Sequence, residues 1–191
     1  MKNITPLCEI AFKYGTDKCP QISHNYTPVY YKLLKDKKEK IRKVLELGIG
    51  SRKTMQWVPK HYQTGASLLM WRDFFPNAQI YGVDRDPSTI FQAERIKTFL
   101  SSTTNVAKLQ KLIEQIGSDI DLVIDDGPHN ERFQLQAVRT LMPLLKDDCI
   151  YVIEDSKNAD SVKNQLSEYN SEAIYFPDHK KGDTLIIVRK K

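Results

Sequence analysis

The residues best suited to chemistry are two acid pairs and one histidine. Asp125 and Asp126 follow the apolar run Leu122-Val123-Ile124 and precede Gly127-Pro128-His129, while Glu154 and Asp155 follow Tyr151-Val152-Ile153. Neighbouring carboxylates raise one another's pKa, so grouping them is costly unless a cation offsets their charge. Oxygen donors without nearby cysteines suit a hard divalent ion, magnesium with manganese or calcium as substitutes, rather than zinc. Asp126, Glu154 and Asp155 are the expected ligands of that ion. Successive side chains of a strand point to opposite faces, so Asp125 is given a separate role, facing a cofactor. His129 is the expected general base, taking a proton from a hydroxyl as its oxygen attacks. The plainer alternative is a helix-start histidine bound to a carboxylate. His24, His61 and His179 have no comparable setting and read as surface or structural residues.

A second group of residues suits a nucleoside. Val44-Leu45-Glu46-Leu47-Gly48-Ile49-Gly50 sets a buried strand before a glycine turn, where a ligand can approach backbone that a Cβ would otherwise obstruct. Ile80-Tyr81-Gly82-Val83 then ends in Asp84, an acid placed to accept the two hydroxyl hydrogens of a ribose. Alone, the glycine turn is a weak signal and Asp84 could be no more than a cap; together they favour nucleoside binding through Glu46, Gly48, Gly50 and Asp84. Ser101 to Thr104 follow the third strand, and Ser102 and Thr103 are candidate adenine contacts, although the run would also serve as a helix cap.

These residues have to be positioned by alternating short apolar runs and longer amphipathic ones, the pattern of βα units around a parallel sheet. Strands are expected at 43–47, 79–84, 96–100, 121–125 and 149–154, with helices at 66–75, 87–95, 106–116, 131–145 and 159–169. The tail, with strand-like runs at 173–176 and 184–189 joined by a polar turn, leaves no room for a crossover helix and reads as an antiparallel hairpin. Helices at 6–14 and 28–38 precede the sheet. The expected fold is therefore α/β, a doubly wound, seven-stranded, mostly parallel sheet with a C-terminal hairpin. Residues 1–40 would form a helical cap or lid and residues 41–191 the catalytic domain. Such a tail favours S-adenosylmethionine (SAM) over a dinucleotide, whose fold continues with another parallel crossover.

Bulk properties bound the reading without deciding it. The chain has 191 residues, 40% hydrophobic and 28% charged, as in a globular domain. Its longest apolar stretches are too short to span a bilayer and its N-terminus lacks a signal-peptide run, so a cytoplasmic location is expected and no membrane partner. Cys8, Cys19 and Cys149 form no even set and read as free thiols. The net charge of +5 concentrates at Lys35 to Lys43 and at Arg189-Lys190-Lys191, without interleaved aromatics, so a nucleic-acid partner is disfavoured.

Taken in order, the motifs resemble those of the metal-dependent sugar O-methyltransferases of macrolide antibiotic pathways, the macrocin and mycinamicin type. The likeness runs through Tyr14-Gly15-Thr16-Asp17-Lys18, His24-Asn25-Tyr26, the glycine turn, Gly65-Ala66-Ser67-Leu68, Trp71 to Ala78, Asp84, Asp126 to His129 and Ile153-Glu154-Asp155. It implies a class I, Rossmann-like methyltransferase with SAM and magnesium as cofactors. It implies magnesium at Asp126, Glu154 and Asp155, with His129 as base, and it brings Asp17, Lys18, His24 and Tyr26 near the bound ligands on the acceptor side. The sequence departs from the pattern at Leu145 to Cys149, where a Pro-Gly-Gly turn is usual, and at Ser102, where an acid is common. The expected acceptor is a small hydroxylated molecule such as a sugar. The chain's self-association stays open, as do two alternatives: methylation of RNA, and a SAM- or nucleotide-binding module without catalysis.

Overall fold

The computed structural model describes residues 4–55, 58–176 and 183–191. The chain begins with α1 (Pro6–Tyr14) and α2 (Tyr26–Leu34). It continues with β1 (Lys43–Leu47), α3 (Ala66–Phe74), β2 (Gln79–Asp84), β3 (Gln92–Ala93) and β4 (Ile96–Leu100). The second half runs α4 (Val106–Ile116), β5 (Leu122–Asp125), α5 (Glu131–Leu141), β6 (Ile150–Glu154), α6 (Ala159–Gln165), β7 (Asn170–Tyr175) and β8 (Thr184–Arg189). The strands form one sheet in the order β3-β4-β2-β1-β5-β6-β8-β7. Strands β4, β2, β1, β5 and β6 run parallel, and β3, β8 and β7 each pair antiparallel with a neighbour. This is the class I methyltransferase fold.

Local sequence explains the helix ends. Thr5 caps α1 by accepting from the Cys8 N–H, Pro6 stands where no donor is needed, and Gly15 (φ 79) ends the helix by donating to the carbonyls of Ala11 and Phe12. In α4 the buried residues Leu109, Leu112, Ile113 and Ile116 fall on one face, with Asn105 as cap and Gly117 at the exit. Strand alternation divides the core. Val44, Ile80, Leu122, Ile124 and Val152 face α1, α2 and α3. Leu45, Leu47, Val83, Val123, Tyr151 and Ile153 face α4, α5 and α6. The segment read as a cap contributes Leu7, Cys8, Ala11, Tyr26, Tyr30 and Leu34, all fully buried, to the first of these layers.

Several expected elements change. The helix placed at 87–95 is a single 3-10 turn, Pro87–Thr89, followed by β3, so the sheet has eight strands rather than seven. Thr98 on β4 fixes this edge: its hydroxyl accepts from Phe91 N (2.7 Å) and donates to Phe91 O (2.6 Å), and the chain reverses through Arg95 at φ 55. The expected helix at 131–145 breaks at Pro143 into a 3-10 turn, Met142–Leu144, because proline lacks the donor an α-helix needs there. The helix placed at 28–38 starts at Tyr26 and stops at Leu34, before the lysine run. The helix read to residue 169 ends at Gln165, and the hairpin's first strand begins at Asn170 rather than at 173. The hairpin turn expected over Pro177 to Asp183, including His179, lies outside the described residues except for Asp183.

The crossovers from β1 through β2 to β4 proceed in one direction across the sheet, and β5 to β6 proceed in the other. The crevice between the carboxyl ends of β1 and β5 is thus the switch point at which ligands bind in open α/β sheets.

Candidate active site

At this switch point the glycine turn and the β5 exit meet closely. Gly48 has φ 91, and a Cβ built on it would lie 2.1 Å from the carbonyl oxygen of Asp126. Glycine is required there for both reasons. Gly48 N donates to Val83 O (2.8 Å) and Asp126 N donates to Leu47 O (2.9 Å), stitching the three strand ends together. Asp84 then fixes the turn: its Oδ2 accepts from Ile49 N (2.9 Å) and Gly50 N (3.1 Å), and its Oδ1 from Asp86 N (2.8 Å). A carboxylate offers about four acceptor positions, so room for a further donor from a ligand remains.

A cavity of about 510 Å³ opens over this turn, lined by Gly48, Gly50, Asp84, Ser102, Thr103, Thr104, Asp126, His129 and Asp155, and also by Asp17, His24 and Asp183. Ser102 and Thr104 bond to each other (2.9 Å), while Asn105, not this run, caps α4. Five other expected site residues do not line the cavity. Asp125 is 3% exposed on the α4–α6 face, accepting from Tyr151 OH (2.9 Å) and Gly127 N, and burial pushes its carboxyl up to about 6. Glu46 points toward α3 and accepts from Trp71 Nε1 (2.9 Å); burial raises it to about 7 despite the nearby Lys18 ammonium. Tyr26 is buried, donates to Asp155 Oδ1 and stacks on the His24 ring (4.9 Å, 13°).

Lys18 and Glu154 are the remaining two, and they are partners. Glu46, Asp126 and Glu154 share one strand parity, so adjacent strands β1, β5 and β6 bring three acids to the α1–α3 face at their carboxyl ends. The Lys18 ammonium contacts Glu154 Oε2 and lies 2.6 Å from Asp126 Oδ2 and 3.5 Å from Glu46 Oε1. Tyr30 OH donates to Glu154 Oε1 (2.6 Å), so both oxygens of Glu154 are engaged. Burial works against charge on Lys18, but the surrounding carboxylates outweigh it and hold the ammonium well above its ordinary pKa; burial likewise raises Glu154. Nothing in the local pattern of the sequence pairs a loop lysine with these strand ends.

At the cavity corner, His129 Nε2 stands 3.1 Å from Asp126 Oδ1 and 3.7 Å from Asp155 Oδ2. Asp155 has φ 53; that left-handed backbone breaks the strand alternation and lets a residue of the other parity join the corner. Burial opposes a charge on His129, yet the bond to Asp126 and the charges of Asp126 and Asp155 raise its pKa to about 9. Asp126, His129 and Asp155 each offer a ligand atom within 4.8 Å of the others, as do His24, Asp155 and Asp183. Asp17 Oδ2 lies 3.7 Å from His24 Nε2, and Asp183 Oδ2 lies 3.2 Å from its Nδ1. Asp183 carried no signal at sequence level, since it follows a polar turn.

Fold and site together define a methyltransferase domain, with a glycine turn and strand-end acid on one side and an acid–imidazole corner on the other. Residues 46–156 match the methyltransferase domain family model, and the chain belongs to that family. It is 36% identical over 149 residues to 8-demethyl-8-(2-methoxy-alpha-L-rhamnosyl)-tetracenomycin-C 3'-O-methyltransferase of Streptomyces olivaceus, covering 78% of this chain and 36% of that protein. It is 33% identical over 149 residues to mycinamicin VI 2''-O-methyltransferase of Micromonospora griseorubida, covering 78% of this chain and 35% of the relative. The chain thus spans about a third of the length of these curated relatives. Among solved structures, the MycE methyltransferase of the mycinamycin pathway, in complex with Mg and SAH, superposes with a TM-score of 0.75 at 24% identity, over all of this chain and 56% of that one.

Proposed function

We propose that this chain is a SAM-dependent, divalent-metal-assisted O-methyltransferase acting on a hydroxyl of a sugar or another small hydroxylated molecule. One observation carries the reading: the nucleoside-type turn at Gly48 and Asp84 and the Asp126–His129–Asp155 corner open into the same cavity. The carboxylates of Asp126 and Asp155 fit a hard divalent ion such as magnesium or manganese, and leave the His129 imidazole beside them free to act as base. Asp126 and Asp155 are the ligands this geometry offers most directly, with Glu154 beside them behind Lys18. When bound, the ion supplies Lewis acidity that makes the acceptor hydroxyl easier to deprotonate.

The chain's own residues do the rest. The Gly48–Gly50 turn, Asp84 and the hydroxyls of Ser102 and Thr103 would hold the cofactor's nucleoside in the cavity that the acid–imidazole corner also lines. As the acceptor oxygen forms its bond to the methyl carbon and the carbon–sulfur bond breaks, the hydroxyl proton passes to His129 Nε2. A base must start unprotonated, and Asp126 and Asp155 hold a proton on His129 up to about 9; offsetting their charge is the condition for His129 to work near neutral pH. Asp17 and His24 line the same cavity beside Asp155 and would stand near an acceptor. A cytoplasmic setting belongs to the proposal, supported by three buried free thiols and by the absence, among the described residues, of any helix long and apolar enough to cross a membrane.

Calorimetric titration with SAM and S-adenosylhomocysteine, with and without magnesium, tests this on wild type and Asp84→Ala, followed by an acceptor screen with His129→Asn as control. The expected results are SAM binding that is lost in Asp84→Ala, and a turnover about 10²–10⁴-fold lower in His129→Asn with SAM affinity retained. A wild-type protein that binds neither SAM nor its demethylated product defeats the reading.

A further inference from the structure

Lys18 is the cation that meets the acid cluster and, like Glu46 and Glu154, it does not line the cavity. It is 2% exposed and enclosed by Glu46, Asp126 and Glu154. Its backbone is fixed as firmly as its ammonium. The Lys18 carbonyl accepts from Tyr26 N (3.1 Å) and Thr27 N (3.0 Å), the otherwise orphan donors of the first turn of α2, whose cap residue Asn25 makes no side-chain capping bond.

We infer that Lys18 is a resident counter-ion: it preassembles the acid cluster before any divalent ion arrives, and it lowers the affinity of the cluster for that ion. The second half rests on the proposed reading of Asp126 and its neighbours as the metal seat. Two buried carboxylates, Glu46 and Glu154, packed beside the part-buried Asp126 without a cation repel one another and lose hydration, and a single ammonium in contact with two of the three and near the third relieves both penalties. A divalent ion bound by Asp126 needs an oxygen of a carboxylate whose other oxygen, Oδ2, is 2.6 Å from Nζ. The two cations then share one ligand at close range, and their repulsion weakens metal binding by about tenfold or more even where water screens the pair. Lys18 is thus a positioning residue that exchanges metal affinity for a site that stays formed in its absence.

The test is Lys18→Met, with Lys18→Arg as the charge-preserving control. Thermal unfolding is followed in EDTA and in manganese, and manganese affinity is read by the paramagnetic resonance of the free ion. In EDTA the midpoint of Lys18→Met is expected to fall by about 10 °C, because buried charges lose their partner. Its manganese affinity is expected to rise about tenfold, and manganese to restore most of the lost midpoint; Lys18→Arg stays near wild type in both. A merely structural lysine predicts that stability and affinity fall together, and that result overturns the inference.

Two other outcomes are decided by Lys18→Met/Glu154→Gln, which removes one charge of each sign. If Lys18→Met does not fold in either condition, or if wild type binds no manganese, the double variant is measured in EDTA. Recovery of the midpoint to within a few degrees of wild type upholds the counter-ion role, and no recovery overturns it. Wild type that binds no manganese defeats the metal reading, and with it the antagonism, while leaving the preassembly role to be read in this way.

Discussion

Replacing Gly48 by alanine isolates the contact on which the site's geometry depends. The added Cβ would stand 2.1 Å from the carbonyl oxygen of Asp126 and 2.7 Å from its carbonyl carbon, backbone atoms that cannot swing aside. Holding an alanine at φ 91 costs about 1–2 kcal/mol. Forcing the β1 and β5 exits apart adds about 1–3 kcal/mol of overpacking, so a loss near 3 kcal/mol is expected. At this chain length that is a fall of about 10 °C in the unfolding midpoint. Gly50→Ala is the control: its φ of 70 carries a similar backbone cost, but its Cβ meets only the flexible end of Met55, at 2.8 Å from Cε, so about 1–2 kcal/mol is expected. Urea unfolding of both variants gives the stabilities, and titration with S-adenosylhomocysteine gives the effect on the site. Gly48→Ala should lose both stability and binding because the displaced segment carries Asp126. Equal losses in the two variants would refute the argument that close approach to Asp126, rather than backbone conformation, dictates this glycine.

Two other residues report on the packing that supports the site. Trp71→Phe removes the Nε1–H that Glu46 accepts at 2.9 Å in a fully buried setting, and urea unfolding should show a loss of about 2 kcal/mol; a loss below half of that would mean that Glu46 finds another donor. Asp73 tests the link between α1 and α3. Burial works against its charge, but bonds from Tyr14, Arg72 and Lys13 prevail and hold its carboxyl down to about 2, against 3.8 for an ordinary aspartate. The folded pKa is depressed, so the stabilisation is present above pH 3.8 and is lost as pH falls through about 2. With allowance for solvent screening, Asp73→Asn should cost about 1 kcal/mol at pH 6, and the gap from wild type should close toward pH 2 in urea titrations; a gap independent of pH refutes the assignment.

Much of the site was legible because strand ends are local features. An apolar run that stops at an acid places that acid at the carboxyl edge of a parallel sheet, and this located Asp84, Asp126 and Asp155 on one rim, with His129 following from its distance along the chain. The β3 edge strand was not legible. The segment from Pro87 to Arg95 carries a helix-start signature, and the hydroxyl of Thr98 that makes it a strand instead belongs to the next element. Glu46, Asp126 and Glu154 share one face of three adjacent strands, and Asp125 shares the opposite face with Tyr151, which removes Asp125 from the cavity and draws Glu46 toward Trp71.

By itself, the sequence determined the order of elements, the glycine turn and the acids that end its strands, since periodicity, glycine and charge act over a few residues. Tertiary structure alone decided what neutralises those acids. Acids grouped as Asp126 and Glu154 are demand a cation, and the folded chain brings the ammonium of Lys18 there from the loop before α2. Charge repulsion depends on distance in space, and no pattern along the chain records that a lysine more than a hundred residues upstream of Glu154 ends within contact of it.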